Sequence, residues 1–299
     1  MEIKNTPDSH FDNLSDYPFS ANYYEVDKDL RMHYVDEGNG PVVLLLHGEP
    51  SWSYLYRKMI PILVENGYRC IAPDLIGFGK SSKIVGKEHY SFQSHLYWLQ
   101  GLLKSLSLSN IHLFCQDWGG LLGLRTVADF PDWFDTVMVS NTFLPRTGIE
   151  ASPAFLRWRD FSQNTPFFDC AGVLQMGTVN TIKGDVLKAY NAPFPDDSYK
   201  DGAKIFPALV PFDDHDVAGE IPNCDKAWGI LEKWEKPFLT LFGDSDDIMK
   251  KGDLFFQSKV PGAKGQPHKL VEGAGHFIQE DKGEELARYL VEFITGNSE

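Results

Sequence analysis

Three short segments carry the residues able to do chemistry, and the first is Cys115-Gln116-Asp117-Trp118-Gly119-Gly120. It stands between Ile111-His112-Leu113-Phe114, apolar and short enough for a buried strand, and Leu121-Leu122-Gly123-Leu124-Arg125-Thr126-Val127-Ala128, whose pattern predicts a helix. A carboxylate at the sharp turn between strand and helix stands clear of the sheet and can attack an electrophile, and small neighbours let the chain bend there. Asp is also a favoured helix N-cap, so this segment alone leaves Asp117 a purely structural reading as well.

The second segment begins with the strand-like run Pro41-Val42-Val43-Leu44-Leu45-Leu46 and ends in His47-Gly48-Glu49-Pro50, a turn able to aim backbone N–H groups into a pocket. The N–H groups of Glu49 and Trp118 would together form an oxyanion hole beside Asp117. Read alone, the turn is equally a strand terminus. The third segment lies near the C-terminus. A predicted strand over 237–242 leads into Gly243-Asp244-Ser245-Asp246-Asp247, and a weaker one over 268–271 leads into Gly273-Ala274-Gly275-His276-Phe277. A glycine-flanked loop can carry the His276 imidazole over the sheet toward Asp117. The chain order is then nucleophile, acid, histidine. Asp244, Asp246 and Asp247 compete for the acid. Of the nine histidines, His33, His112 and His268 fall in strand-like segments and His95 on a helix, and they read as packed or solvated.

These segments need a scaffold, and the pattern supplies one. Strands are expected near 23–26, 31–36, 42–46 and 68–72, helices near 52–63 and 92–105, then the strand and helix around Asp117 and a strand over 136–140. From 144 to 212 the alternation breaks into a mostly helical stretch rich in Phe, Trp, Pro and Gly. Such an insertion ahead of the acid would form a cap whose aromatic residues wall an apolar pocket. The expected division is a core over 1–143 and 213–299 with a helical cap over 144–212.

Composition narrows the function classes. The chain has 299 residues, enough for a large α/β core, and no internal repeat or low-complexity linker. Its 42 acidic and 28 basic residues give a net charge of −14, which argues against a nucleic-acid partner. The first eleven residues are polar, and no later stretch approaches a membrane span, so a cytoplasmic protein without a membrane partner is expected. Cys70, Cys115, Cys170 and Cys224 are widely spaced with no metal-like pairing and read as buried free thiols. No metal and no cofactor are called for, and a monomer is the expected state.

Taken together, His47-Gly48-Glu49-Pro50, Asp74-Leu75-Ile76-Gly77-Phe78-Gly79-Lys80-Ser81-Ser82, Gln116-Asp117-Trp118-Gly119-Gly120 and Ala192-Pro193-Phe194-Pro195-Asp196 resemble the haloalkane dehalogenases of the α/β-hydrolase superfamily. The resemblance covers nearly the whole chain. It implies an α/β-hydrolase fold, a mostly parallel eight-stranded sheet flanked by helices, with the helical cap inserted after the sixth core strand. It is strongest to the subfamily whose acid follows the seventh core strand and whose halide is held by two tryptophans. Asn141 stands where another subfamily carries a glutamate, and Glu49 where others carry a halide-binding asparagine. The triad implied is Asp117, Asp246 and His276, with Asp246 at the fourth position of Gly-x-x-Asp after its strand. The halide donors implied are Trp118 and, within the cap, Trp158. Phe155, Phe167, Phe168 and Val173 are candidate pocket walls.

The residue types suit that chemistry. A saturated carbon bearing a halogen offers no carbonyl for a serine, whereas a carboxylate already ionised at neutral pH suits backside displacement. The alkyl ester left on Asp117 is an acyl compound, open to water activated by His276 while Glu49 and Trp118 N–H groups stabilise the oxyanion. Asp246 would fix the imidazole tautomer. Indole N–H groups donate without accepting, which fits a halide leaving inside an apolar pocket. The partners expected are a small apolar halogenated substrate, water and the halide ion. Rival readings are an epoxide hydrolase using cap tyrosines such as Tyr190 and Tyr199, a fluoroacetate-type dehalogenase, which would want arginines where Trp118 stands, and a non-catalytic small-molecule receptor on the same fold.

Overall fold

The computed structural model describes residues 1–249 and 251–297. Its frame is an eight-stranded sheet. In chain order the strands are β2 (Asn22–Asp27), β3 (Leu30–Glu37), β4 (Val42–Leu46), β5 (Arg69–Pro73), β7 (Ile111–Gln116), β8 (Phe134–Ser140), β9 (Phe238–Gly243) and β10 (Lys269–Val271). They lie side by side in the order β10-β9-β8-β7-β4-β5-β3-β2. The pairs from β5 to β10 are parallel, and β2 and β3 join antiparallel at one edge. Short strands β1 (Glu2–Lys4) and β6 (Lys83–Val85) form a separate antiparallel ribbon.

The central strands read as unbroken apolar runs because helices cover both faces of the sheet. Every residue of β7 and β9 is buried. Helix α2 (Phe92–Ser105) presents Phe92, His95, Leu96, Leu99, Leu102 and Leu103 inward at helical spacing, and the Ser91 hydroxyl caps it by accepting from the Ser94 N–H. Helix α3 (Trp118–Asp129) is buried almost all round. It packs on the sheet, on α2 and on α8 (Ile221–Leu231). The single helix expected over 52–63 is instead a 3-10 turn at Ser53–Tyr56 and a short α1 (Ile60–Glu65). Asp74 Oδ1 takes the Ser53 N–H at 2.7 Å and the Tyr56 hydroxyl donates to Leu46 O at 2.7 Å. These anchors fix the first turn, and Pro61 opens a new helix.

Four helices follow β8, the sixth strand of the large sheet: α4 (Pro153–Asn164), α5 (Cys170–Met176), α6 (Gly184–Asn191) and α7 (Asp201–Leu209). After α8 and β9 the chain closes with α9 (Gly252–Lys259), β10 and α10 (Ile278–Gly296). Cys70, Cys115, Cys170 and Cys224 are free and buried. Among the described residues no helix is long and apolar enough to cross a membrane, and no cluster of His, Cys, Asp and Glu could hold a metal ion.

A buried ion pair ties the four helices to the sheet domain. Arg57, after the 3-10 turn, donates both terminal nitrogens to Glu280 in the first turn of α10, each at 2.8 Å, and the Tyr190 hydroxyl of α6 donates to Glu280 Oε2 at 2.7 Å. Burial favours the neutral acid at Glu280, but Arg57, Lys58 and Tyr190 outweigh it and hold the pKa at about 2. Removing Arg57 leaves a buried carboxylate with only the Lys58 ammonium at 3.1 Å and the Tyr190 hydroxyl as partners. Arg57→Met should therefore cost about 3–5 kcal/mol in urea unfolding, against about 1 kcal/mol for Tyr190→Phe. Because the Glu280 pKa is depressed, its contribution is present above the usual carboxyl range near 4.5 and fades as pH falls toward 2. The Arg57→Met deficit should shrink over that acid window.

Candidate active site

Asp117 ends β7 and precedes the first residue of α3 with φ 51° and ψ −127°, a left-handed conformation rare for a non-glycine residue. Such strain persists only where the surroundings over-determine it. Here the Asp117 N–H donates to Asn141 O at 3.2 Å, and Asp117 O accepts from the Gly120 N–H at 2.9 Å and the Thr142 hydroxyl at 2.7 Å. The helix start can approach the neighbouring strand because a Cβ at Gly119 would run into Leu46 O. A Cβ at Gly48 would strike the Asp117 side chain.

That closeness brings the Glu49 N–H to 2.7 Å from Asp117 Oδ1. The turn itself is locked by His47, whose Nδ1 donates to Gly48 O at 2.8 Å while Nε2 accepts from the Leu75 N–H at 3.0 Å. Burial lowers the His47 pKa and favours this neutral form. The Trp118 N–H, at the first helical position, has no acceptor within α3.

The other Asp117 oxygen faces the histidine: His276 Nε2 stands 3.4 Å from Oδ2, and His276 Nδ1 lies 2.8 Å from Asp246 Oδ2. Asp246 is buried. It also accepts from Asn141 Nδ2 at 2.6 Å and from the N–H groups of Ile248 and Met249 at 2.8 and 3.2 Å. Burial favours a neutral Asp246, but His276 and these donors hold its pKa at about 2. The same balance acts on the imidazole. Burial disfavours the cation, but Asp246 and Asp117 raise its pKa to about 10. Asp244 instead bonds the Ser245 hydroxyl and the Gly273 N–H in an exposed loop. His33 pairs with Asp74, His112 with Thr136, and His268 with Thr240 and Ala263 O. His95 is sealed among rings of Tyr90, Trp98 and Phe206.

A cavity of about 130 Å³ opens onto Asp117 and His276, lined from the sheet side by Glu49, Trp118, Thr142 and Phe143, and from the inserted helices by Phe155, Trp158, Val173 and Met176. Of the seven tryptophans, Trp118 and Trp158 line it. Neither indole N–H has a protein acceptor among the described residues, whereas Trp52 and Trp228 donate to Ala189 O and Leu144 O. Two expected walls are absent from the cavity. Phe167 is exposed with Lys200 over its ring, and Phe168 is fully buried behind Trp158. Helix α5 starts just after both, so its axis turns Val173 inward and leaves them outside.

Sequence reasoning missed the work of Asn141. Its side chain bridges Asp246 Oδ2, Gly275 O and the Gly243 N–H, stapling three loops whose sequences give no sign of meeting. It also missed the Glu49 carboxyl, which is buried on the cavity wall. The wall residues Pro207, Val210, Ile248 and Met249 likewise carry no motif that would single them out.

Comparison with known proteins identifies the fold and the family. Residues 41–283 match the family model of the alpha/beta hydrolase fold. A haloalkane dehalogenase of Psychrobacter cryohalolentis is 52% identical over 99% of both chains, and one of Mycolicibacterium paratuberculosis is 48% identical over 97% of this chain and 98% of that protein. The structure described as the tetrameric haloalkane dehalogenase DpaA from Paraglaciecola agarilytica superposes with a TM-score of 0.90 at 34% identity, covering 96% of this chain and 97% of that one. With relatives of this kind matched along the full length of the chain and over its whole fold, the chain belongs to the haloalkane dehalogenases, hydrolases of carbon–halogen bonds built on the α/β-hydrolase fold.

Proposed function

We propose that this enzyme converts a small apolar haloalkane and water to an alcohol and halide through a covalent ester on Asp117, with residues 144–212 acting as a cap over a core of 1–143 and 213–299. The observation that carries this reading is the division of labour between the Asp117 oxygens. Oδ1 is held by the Glu49 N–H, while Oδ2 faces the cavity beside His276. Oδ2 attacks the carbon, the carbon–halogen bond breaks, and the halide takes the free indole N–H groups of Trp118 and Trp158. Ester formation removes the Asp117 charge that helps hold the His276 proton, so the imidazole releases that proton to solvent and becomes able to act as a base. His276 Nε2 then takes a proton from water as the water oxygen bonds to Cγ. The tetrahedral oxyanion rests on the Glu49 and Trp118 N–H groups. On collapse the alkoxide leaves with the proton from His276, and the second water proton, left on the Asp117 carboxyl, passes through His276 to solvent as the carboxylate is regenerated. Asp246 orients the ring throughout.

The epoxide-hydrolase reading loses its donors. The Tyr190 hydroxyl is spent on Glu280, Tyr199 lies beneath Lys4, and neither lines the cavity. A complete triad speaks against a non-catalytic receptor. A monomeric, cytoplasmic enzyme remains our reading of the sequence, with oligomeric state open to sedimentation because the Paraglaciecola relative is described as a tetramer.

Asp117→Asn should abolish bromide release from 1-bromobutane, and undiminished turnover in a preparation checked for deamidation would overturn the assignment. His276→Phe should still release one bromide per enzyme and stall, leaving a butyl adduct on Asp117 visible by intact-mass and peptide spectrometry. For Trp158, loss of a charge-assisted hydrogen bond worth about 1.5–3 kcal/mol predicts that Trp158→Phe slows dehalogenation roughly 10- to 100-fold. It should also weaken the quenching of tryptophan fluorescence by bromide.

A pH signature follows from the raised His276 pKa. A group with a higher pKa folded than unfolded contributes stability below its unfolded pKa and loses it as pH rises through the folded value. The enzyme should lose stability between pH 6.5 and about 10. Urea unfolding of His276→Phe should lack that alkaline slope.

A further inference from the structure

The mechanism above uses the backbone of Glu49 and leaves its side chain idle. The residue is 4% exposed and lines the cavity, and its Oε1 is enclosed without a hydrogen-bond partner. Asp117, His276 and the Cys170 thiol of α5 all stand within electrostatic reach of the carboxyl. Burying a polar oxygen without a partner is unfavourable, so an orphan on the wall of a reaction cavity points to something bound there during turnover.

The polar groups of the wall narrow what that is. Trp118 and Trp158 donate and cannot accept. Thr142 turns its hydroxyl to Asp117 O. His276 is bound through Nδ1 to Asp246, leaving Nε2 to take a proton. Once Asp117 is alkylated, the water that attacks its Cγ gives one proton to His276 Nε2 and has a second O–H to place. Glu49 Oε1 is the wall acceptor with no hydrogen bond of its own.

We propose that the Glu49 carboxyl accepts a hydrogen bond from the hydrolytic water and so aims its lone pair at Cγ of the Asp117 ester, which gives Glu49 a role in the second half-reaction distinct from its N–H in the oxyanion hole. This rests on the assignment of Asp117 and His276 given above. The carboxyl acts as a neutral acid. Burial and the neighbouring Asp117 both push its pKa well above the usual 4.5. Neutrality also spares Asp117 a second anion beside it while it attacks the haloalkane. Glu49 keeps its proton throughout: water loses one proton to His276, the water oxygen joins Cγ, the bond from Cγ to the alkoxide breaks, the alkoxide takes the proton from His276, and the second water proton leaves the Asp117 carboxyl through His276 to solvent.

The test compares Glu49→Leu with Glu49→Gln by rapid-quench kinetics with 1-bromobutane, reading the bromide burst separately from the steady rate of ester hydrolysis. Glu49→Leu should give a full burst of one bromide per enzyme and then hydrolyse the ester roughly 10- to 100-fold more slowly, the range expected for one lost hydrogen bond to a reacting group. Glu49→Gln keeps a neutral carbonyl acceptor. It should recover the hydrolysis to within about threefold of wild type and follow the same pH–rate profile across neutral pH. Wild-type hydrolysis in the Leu variant overturns the proposal, as does a Gln variant as slow as Leu, which would assign the work to an anion. If the Leu variant does not fold, the rate and pH profile of Glu49→Gln decide alone. A missing adduct in His276→Phe would sink the underlying triad assignment, whereas an adduct there with an unaffected Leu variant would sink only the role of Glu49.

Discussion

One imidazole stands among three carboxylates in a cavity walled largely by apolar side chains, and the rest of the structure serves that arrangement. In a low-dielectric pocket the charges interact strongly, and each carboxylate settles according to the donors it receives. Asp246 has the His276 ring, the Asn141 amide and two backbone N–H groups, and it stays ionised. Asp117 has the Glu49 N–H on one oxygen and the imidazole near the other. The Glu49 carboxyl has no donor, and its pKa is driven up instead. The Asp246 and Glu49 carboxyls are thus pushed in opposite directions by their surroundings, the separation that acid–base chemistry at one pH requires.

The arrangement depends on backbone held in unfavourable places. Asp117 keeps φ 51° because a helix start is pressed against the end of β4, and bonds from Asn141, Thr142 and Gly120 fix it there. The His276 loop is pinned from the opposite side. The Asp281 carboxylate accepts from the N–H groups of Gly275, Val179 and Asn180 at 2.8–2.9 Å, and the Phe277 N–H donates to Gly177 O at 3.0 Å. One carboxylate therefore joins the histidine loop to the segment after α5. With Arg57, Glu280 and Tyr190 making a second tie nearby, the inserted helices and His276 share a common footing.

Most of the site was legible because its local backbone writes a local signature. A strand, a tight turn with small residues and a helix leave a pattern within about a dozen residues, and that pattern pointed to Asp117 and to the Glu49 turn. His276 was legible through its strand and glycine-flanked loop, whereas the same signals left Asp244, Asp246 and Asp247 in competition until the family resemblance favoured Asp246. The walls were harder. Phe155 and Val173 line the cavity while Phe167 and Phe168 do not, since which side of a short inserted helix faces inward depends on the axis the helix adopts. The helix expected over 52–63 broke because contacts to Asp74 and Leu46, distant in sequence, outweigh local helical propensity.

By itself the sequence determined the alternation of strands and helices, the chain order of Asp117, Asp246 and His276 in the turns that follow strands, and the interruption from 144 to 212, because hydrophobic period and turn chemistry are properties of neighbouring residues. Tertiary structure alone decided which distant groups meet: Asn141 bridging to Asp246, Gly275 and Gly243, Asp281 closing the histidine loop against the inserted segment, and Tyr190 turned to Glu280 instead of the cavity. It also decided charge. Carboxyls at positions 49 and 246 look alike in sequence, and only the burial of one and the donors given to the other push their pKa values in opposite directions.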